Sequence, residues 1–283
     1  MPRLTHAPSG AALAELVVAM TLATILSAAA AAALVSAERY VRRATSTSED
    51  RRTMRDVELT LASELRITAI DSLRLHGDTA ADFIGLVGTS VTCVASASQL
   101  VLPPSVTTNA VSLTVWRATP SPGDFVAVFD TAPPGSWRTA IVNAVEARSD
   151  GAGCTPASGL LSAADSAARR PVTRLVLDRA LPAGVGPGAP VRLLRRGRYV
   201  LTRAADRSWS LSYRSCDAAL TCGVAQPVAG PLASPTDSGL VFSLDVPNAR
   251  LETTLHAPSR EPGLARESRR FVLALRNRAA GSP

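Results

Sequence analysis

An uncharged segment near the N-terminus limits what this chain can fold into more than any other feature. The twenty residues from Leu16 to Val35 carry no charge. Their polar members are Thr21, Thr24 and Ser27. Because a helix rises about 1.5 Å per residue, this segment would span about 30 Å, the thickness of a bilayer's hydrocarbon core. The uncharged stretch runs on to Ala37, and we predict a membrane-spanning helix over residues 11–37.

Two residues at the start of this segment do not suit an ordinary membrane anchor. Gly10 precedes the apolar run, after a short polar leader that carries Arg3 and His6. Glu15 is the fifth residue after that glycine. An ionised carboxylate at or inside a bilayer is costly, so it normally has a partner or a role. Gly10 and Glu15 together therefore indicate a function beyond lipid anchoring.

The stretch from Gly10 to Met20 (GAALAELVVAM) resembles the prepilin N-terminal motif of the type IV pilin-like family. In that motif a short basic leader ends in glycine before an apolar helix with glutamate at its fifth position. The resemblance implies cleavage after Gly10 by a prepilin peptidase and N-methylation of the new amine on Ala11. It also implies a role for Glu15 in filament assembly, where its carboxylate pairs with the Ala11 amine of a neighbouring subunit and sets the axial register.

This resemblance implies a function, partners and a location. The chain would be a minor pilin of a type IV pilus or a minor pseudopilin of type II secretion. Its partners would be prepilin peptidase, other pilins or pseudopilins, and an inner-membrane assembly platform. It would cross the inner (cytoplasmic) membrane once, with its C-terminal domain in the periplasm or in an extracellular filament. Residues 1–10 would be the leader and 11–37 the transmembrane half of the N-terminal helix.

Two other interpretations of the N-terminus stay open. The tripeptide Val35-Ser36-Ala37 before Glu38 is similar to a signal-peptidase site, which would make the segment a secretory signal. An uncleaved signal anchor unrelated to filaments would have the same apolar length. Either one would leave a secreted or membrane-anchored β-domain that binds a ligand without joining a filament.

Residues 38–70 continue the helical pattern as an amphipathic helix. The segment contains neither Gly nor Pro. Its apolar residues recur at spacings of three, four and four, which places them in one helical stripe: Met54, Val57, Leu61 and Leu65. We predict one long helix whose outer half packs this stripe on a globular domain. A break at Ser46-Thr47-Ser48 is the open alternative.

From residue 71 to residue 283 the pattern changes to short apolar runs separated by Pro- and Gly-rich turns. Many short strands with such turns are typical of antiparallel sheets. The expected fold class is therefore α+β, a long N-terminal helix packed on an antiparallel β-rich domain. Residues 151–170 and 225–238 are predicted to be loops. The predicted strands are 83–87, 99–102, 110–116, 124–129, 138–145, 173–178, 191–195, 198–203, 209–214, 239–245, 251–256 and 271–276.

Parts of this β-rich region add to the resemblance. Residues 123–128 followed by 137–145 resemble the additional β-insert of PilW-like minor pilins. Residues 198–201, 209–214 and 271–278 resemble the C-terminal sheet of J-type pseudopilins and PilW-like proteins. These similarities favour a minor subunit within the family.

The four cysteines are Cys93, Cys154, Cys216 and Cys222. They form no C-x-x-C pair and have no histidine close in sequence, which argues against a zinc site. In an exported domain they would form disulfides, and four cysteines allow three connectivities. Cys216 with Cys222 across a short loop, and Cys93 with Cys154, is the connectivity that we favour.

The formal net charge is +7, and every cation other than histidine is arginine. This pattern indicates a compositional bias more than a phosphate-binding surface, so a nucleic-acid partner is not favoured. One short stretch is dense in arginine: Arg192, Arg195, Arg196 and Arg198. We interpret it as a solvated strand face or edge, with contact to an anionic partner as the alternative.

Catalytic motifs are missing from the sequence. There is no G-x-S-x-G elbow, no H-E-x-x-H helix and no P-loop. Two of the three histidines, His76 and His256, have no motif around them, and His6 is lost if the leader is cleaved. We therefore predict no enzymatic activity, no cofactor and no metal site, and an exported hydrolase has no motif to support it.

Overall fold

The first element is one long helix, α1, from Ser9 to Leu65. The computed structural model describes residues 9–68, 70–108, 112–149, 153–259 and 266–275, so residues 1–8 of the predicted leader lie outside the described part. α1 runs without interruption through residues 46–48, and the break left open by the sequence does not occur. The described residues divide into two units, one up to Arg52 and one from Thr53 onward.

The helix ends five residues earlier than the predicted boundary at residue 70. A short 3-10 turn, Ile70–Ser72, follows it. Thr68 is fully buried, and its hydroxyl lies 3.2 Å from the Glu64 carbonyl oxygen and 3.4 Å from that of Ile84. Because a helix end leaves carbonyl groups without helical partners, this hydroxyl helps to satisfy the last turn where the chain enters the β-domain.

Fourteen strands and one short helix follow in the described residues. They are β1 Arg74–His76, β2 Ala80–Val91, β3 Val94–Ser96, β4 Gln99–Leu102, β5 Val115–Trp116, β6 Phe125–Asp130, β7 Ser136–Arg148, α2 Ala163–Ala167, β8 Val172–Leu177, β9 Pro190–Arg203, β10 Trp209–Cys216, β11 Gln226–Leu232, β12 Leu240–Asp245, β13 Arg250–His256 and β14 Ser268–Ala274.

The strands form two antiparallel sheets. The larger one has eleven strands in the order β1-β2-β9-β6-β7-β8-β4-β3, with β10 beside β9, β11 beside β10 and β5 beside β2. The smaller sheet has the order β12-β13-β14. A long helix packed with antiparallel sheets confirms the predicted α+β class.

Strand β9 corrects the prediction of two separate strands at 191–195 and 198–203. It continues through Gly197, which the sequence pattern treats as a break. A Cβ at this position would lie 2.5 Å from a ring atom of Tyr213 and 2.9 Å from one of Phe83. The glycine is therefore needed for the close approach of two aromatic rings and does not end the strand.

Two predicted loops contain regular structure, and one predicted strand is much shorter than expected. β11 lies within the predicted loop 225–238, and its two prolines are tolerated because it is an edge strand paired with β10 alone. The predicted loop 151–170 contains α2. Of the predicted strand 110–116, the structure forms β5, while residues 110 and 111 lie outside the described residues.

The stripe of α1 is the centre of the larger hydrophobic core. Its four residues, Met54, Val57, Leu61 and Leu65, are at most 2% exposed. They share this core with residues of both sheets, among them Phe83 and Leu211 from the large sheet and Leu251 and Phe271 from the small one. The predicted packing of the stripe on the β-domain is thus present.

Tyr199 adds a polar contact to this core. Its hydroxyl donates to Glu64 Oε2 at 2.8 Å, and its ring stacks on Phe83 with centroids 5.2 Å apart. Burial, and next the nearby charge of Glu64, raise the pKa of Tyr199. The phenol therefore stays protonated and keeps donating to the helix.

Two disulfides close loops of the β-domain, with the favoured connectivity. Cys93 and Cys154 are bonded across 61 positions and lie in a small buried cluster with Val101, Leu161 and Val172. Cys216 and Cys222 close the loop that follows β10.

A separate core fills the space between β4, β6, β7, β8 and β9, with Val126, Val142 and Leu193 fully buried.

Truncating Leu61 tests the role of the stripe. Leu61→Ala removes a fully buried side chain from the core shared by both sheets. We expect the free energy of unfolding to fall by about 2–5 kcal/mol. Leu59→Ala is the matched control, because Leu59 lies on the same helix and is 60% exposed. Urea unfolding of the full chain in nonionic detergent measures both, and equal losses would show that the stripe does not carry the packing.

Candidate functional site

The apolar segment of α1 is exposed on all of its faces. Every side chain from residue 13 to residue 45 is exposed. Leu16, Ile25 and Leu34 are 60%, 64% and 72% exposed. A helix that is apolar on all sides is stable only inside a protein core or a membrane. The fold of this chain alone therefore leaves the segment without the apolar surroundings that it needs.

Three hydroxyl groups of the segment find acceptors within the helix itself. The hydroxyls of Thr21, Thr24 and Ser36 each donate to a backbone carbonyl three positions earlier, at 2.8 Å. In hydrocarbon an unpaired polar group costs several kcal/mol, so this arrangement suits a lipid environment.

The apolar window of α1 has a mean hydropathy of 2.1, and none of it is buried. Within the described ranges, α1 is the single helix long and apolar enough to cross a membrane. This places a candidate transmembrane helix near the N-terminus, as the sequence predicts.

Gly10, Ala11 and Glu15 lie at the beginning of this helix. α1 starts at Ser9, so the Gly10–Ala11 peptide bond is in its first turn and Glu15 is one turn later. Glu15 is exposed, and its carboxylate has no hydrogen-bond or ion-pair partner among the residues that the structure describes. A carboxylate so placed beside apolar surface needs a cation from outside the described chain to be neutralised.

Charged and aromatic side chains mark the other end of the segment. Glu38 and Arg42, one turn apart on α1, form an ion pair. Tyr40 lies between them and is 75% exposed. Tyrosine and arginine side chains are enriched where helices leave the hydrocarbon, since an apolar stem and a polar tip suit that boundary.

The arginine-rich stretch is not at a sheet edge, which corrects that part of its interpretation. β9 is paired on both sides, by β2 on one and by β6 and β10 on the other. Arg195 donates to both carboxylate oxygens of the buried Asp124, at 2.6 and 2.8 Å. Arg192 lies over the Trp137 ring, 4.6 Å from its centroid. Two of the four arginines, Arg192 and Arg195, therefore contact other side chains of the domain.

One polar cluster on the β-domain has no signal in the sequence. Arg198 Nη2 donates to Asp82 Oδ2 at 2.9 Å, and His76 Nε2 lies 2.7 Å from the same oxygen. Arg198 and Asp82 are 116 positions apart and meet through the pairing of β2 with β9. No group of three or more His, Cys, Asp or Glu side chains suited to a metal ion occurs in the described part of the chain.

Comparison with known proteins gives no relative for this chain: no family model, curated protein or solved structure matches it.

A charge placed in the middle of the segment tests whether α1 spans a membrane. Ile25→Arg adds a cost of about 2.5–3.5 kcal/mol at the centre of a spanning helix. We expect a large drop in the fraction of protein that stays with membranes after alkaline carbonate extraction. Ser48→Arg, an exposed position in the polar half of the helix, is the control and should not change that fraction. Equal extraction of the two variants would show that the segment does not span.

Proposed function

We propose that this chain is a minor pilin of a type IV pilus or a minor pseudopilin of type II secretion, a structural subunit with no catalytic role. The observation that carries the proposal is the apolar segment of α1, exposed on all faces, with Gly10 and Glu15 at its start. Such a helix has two compatible surroundings, a bilayer before assembly and the helices of other subunits afterwards.

Glu15 favours a filament over a simple anchor. A lipid anchor gains nothing from a carboxylate, whereas a bundle of processed subunits supplies a cation close to it. Cleavage after Gly10 creates a free amine on Ala11, and pairing of that amine with Glu15 of a neighbour removes two charges from apolar surroundings. The pairing also fixes the axial position of one subunit against the next, because a shift would leave both charges without a partner.

The alanine run at residues 28–33 supports close contact between helices. Six successive small side chains allow neighbouring helix backbones to approach closely, as small residues do in membrane helix interfaces. They also contribute less to lipid anchoring per residue than leucine would. The segment is thus better suited to helix packing than a leucine-rich anchor would be.

Further support comes from the disulfides of the β-domain. Cys93–Cys154 and Cys216–Cys222 fit an oxidising compartment, and the periplasm is one. In this proposal the chain crosses the inner membrane once, with the β-domain in the periplasm or in an extracellular filament. Its partners are prepilin peptidase, other pilins or pseudopilins, and the assembly platform of the inner membrane.

The N-terminus of the mature protein separates the proposal from its alternatives. We expect mass spectrometry of membrane-isolated protein to find N-methylated Ala11 as the first residue. Processing should be blocked in Gly10→Val, because a side chain at the cleavage site hinders entry of the backbone into a narrow active site. A mature chain that begins at Glu38 would identify a secretory signal, and an intact N-terminus would identify a plain anchor. Either result contradicts the proposal.

Replacing Glu15 tests its role in assembly. We expect Glu15→Leu to be processed normally at Ala11 but to be strongly depleted from the sheared filament fraction, since the Ala11 amine loses its partner. Glu49→Leu removes an exposed carboxylate from the polar half of α1 and is the matched control. Quantitative immunoblotting of membrane and filament fractions measures both. Normal assembly of Glu15→Leu would show that this carboxylate does not set the register.

A further inference from the structure

The β-domain contains a pocket that the proposed function does not use. Its volume is about 310 Å³, at the lower end of the range for small-molecule sites. It lies beside β1, β2, β9, β10 and the loop that follows β10, and no residue of α1 lines it. Its lining residues are Asp71, Ser72, Arg74, His76, Asp82, Phe83, Ile84, Arg196, Gly197, Cys216 and Leu220.

Strand register gives one face of this sheet a high density of cations. Side chains of residues directly opposite one another on neighbouring strands point to the same face. One row across four strands contains Arg74, Asp82, Arg198 and Arg214. The next row contains Ile84, Arg196 and Cys216. These two rows hold four guanidinium groups and one carboxylate.

The one carboxylate of these rows is already paired. Asp82 accepts hydrogen bonds from Nε and Nη2 of Arg198 and lies 2.7 Å from His76 Nε2. Burial opposes ionisation of Asp82, but the hydrogen bonds from Arg198 and His76 outweigh it and lower its pKa. The charges of Asp82 and Arg198 therefore cancel, and Asp82 is not available to the other cations.

The remaining guanidinium groups lack anionic partners. Arg74, Arg196 and Arg214 have no carboxylate within salt-bridge distance among the described residues. The Nε–H groups of Arg196 and Arg214 are buried and donate to no acceptor in that part of the chain. Buried donors normally have an acceptor, and like charges on adjacent strands are unfavourable without one. Arg196 lines the pocket, so an anion there would give its guanidinium group the anionic partner that the described residues do not supply.

The rest of the lining is mainly apolar. Ile84, Cys216 and Leu220 contribute apolar side chains, and the Cys216–Cys222 disulfide closes the loop that carries Leu220. Arg196 is also held by the Phe125 ring, with its guanidinium carbon 5.3 Å from the ring centroid. An inorganic ion would leave this apolar surface in contact with water, whereas an organic anion would cover it.

We propose that this pocket binds a small organic anion, a carboxylate on an apolar body. The apolar body lies against Ile84 and Leu220, and the carboxylate accepts hydrogen bonds from Arg196 and Arg74. Arg74 lines the same pocket from the exposed edge of the sheet, on β1.

Ligand-observed fluorine NMR on the full chain in nonionic detergent tests the proposal. The probes are trifluoromethylbenzoate and trifluoromethylbenzamide, which have the same apolar body with and without the charge. Chain-free micelles give the partition background for each. We expect the benzoate to bind at least about tenfold more tightly than the benzamide, because a charge-assisted hydrogen bond to an ionised group contributes that much. Equal binding of the two probes, or no binding, overturns the proposal.

Variants locate the binding. Arg196→Gln and Arg74→Gln should each weaken benzoate binding about tenfold and leave benzamide unchanged, and Leu220→Ser should weaken both probes. Arg203→Gln, an exposed position on the same strand β9, is the control and should match the unmodified chain. Thermal unfolding shows whether Arg196→Gln is folded; if it is not, Arg74→Gln at the sheet edge decides the result. Benzoate binding that is unchanged in the folded arginine variants contradicts the proposed site.

Discussion

The buried stripe of α1 joins the two sheets of the β-domain. Its leucines lie in one core with Phe83 and Leu211 of the eleven-stranded sheet and with Leu251 and Phe271 of the three-stranded sheet. The small sheet has three strands, and its hydrophobic face is buried in this shared core. Tyr199 reinforces the arrangement from the large sheet through its hydrogen bond to Glu64. A single helical face thereby determines where both sheets lie.

The two halves of the same helix require different surroundings. From residue 13 to residue 37 every side chain is exposed and none is charged except Glu15, whereas the stripe from Met54 to Leu65 is buried and its other faces carry charges. The first part requires hydrocarbon or other helices, and the second requires its own domain. Between them, the pair of Glu38 with Arg42 and the exposed Tyr40 form a boundary. The proposed filament subunit uses the first part for contacts between chains and the second for contacts within one.

The sequence predicts features that depend on neighbouring residues and misses those that depend on distant ones. Three features are local patterns that the sequence itself reveals: the uncharged segment, the stripe that contains Leu61, and the spacing of Gly10 and Glu15. The sequence pattern predicts two strands in place of β9, because the rings of Tyr213 and Phe83 that require a glycine at position 197 come from other strands. It predicts a loop in place of β11 because proline argues against a strand, and the topology shows that β11 lies at an edge. The pocket beside β2, β9 and β10 forms only because strand pairing brings distant residues together. The sequence pattern therefore does not predict that Arg196 and Asp82 lie in the same site.

The long separation of core partners affects how the chain reaches its folded state. Glu58 on α1 pairs with Arg269 on β14, 211 positions later, and the core around them includes Phe271. A ribosome therefore releases the helical stripe long before the last strand that covers it. During that interval the apolar face of residues 54–65 has only part of its partners, a condition that slows folding and promotes aggregation. If the preceding segment is already held in a membrane, each unfinished chain is confined near the bilayer and separated from others. The N-terminal helix then protects the domain during synthesis before it serves any assembly.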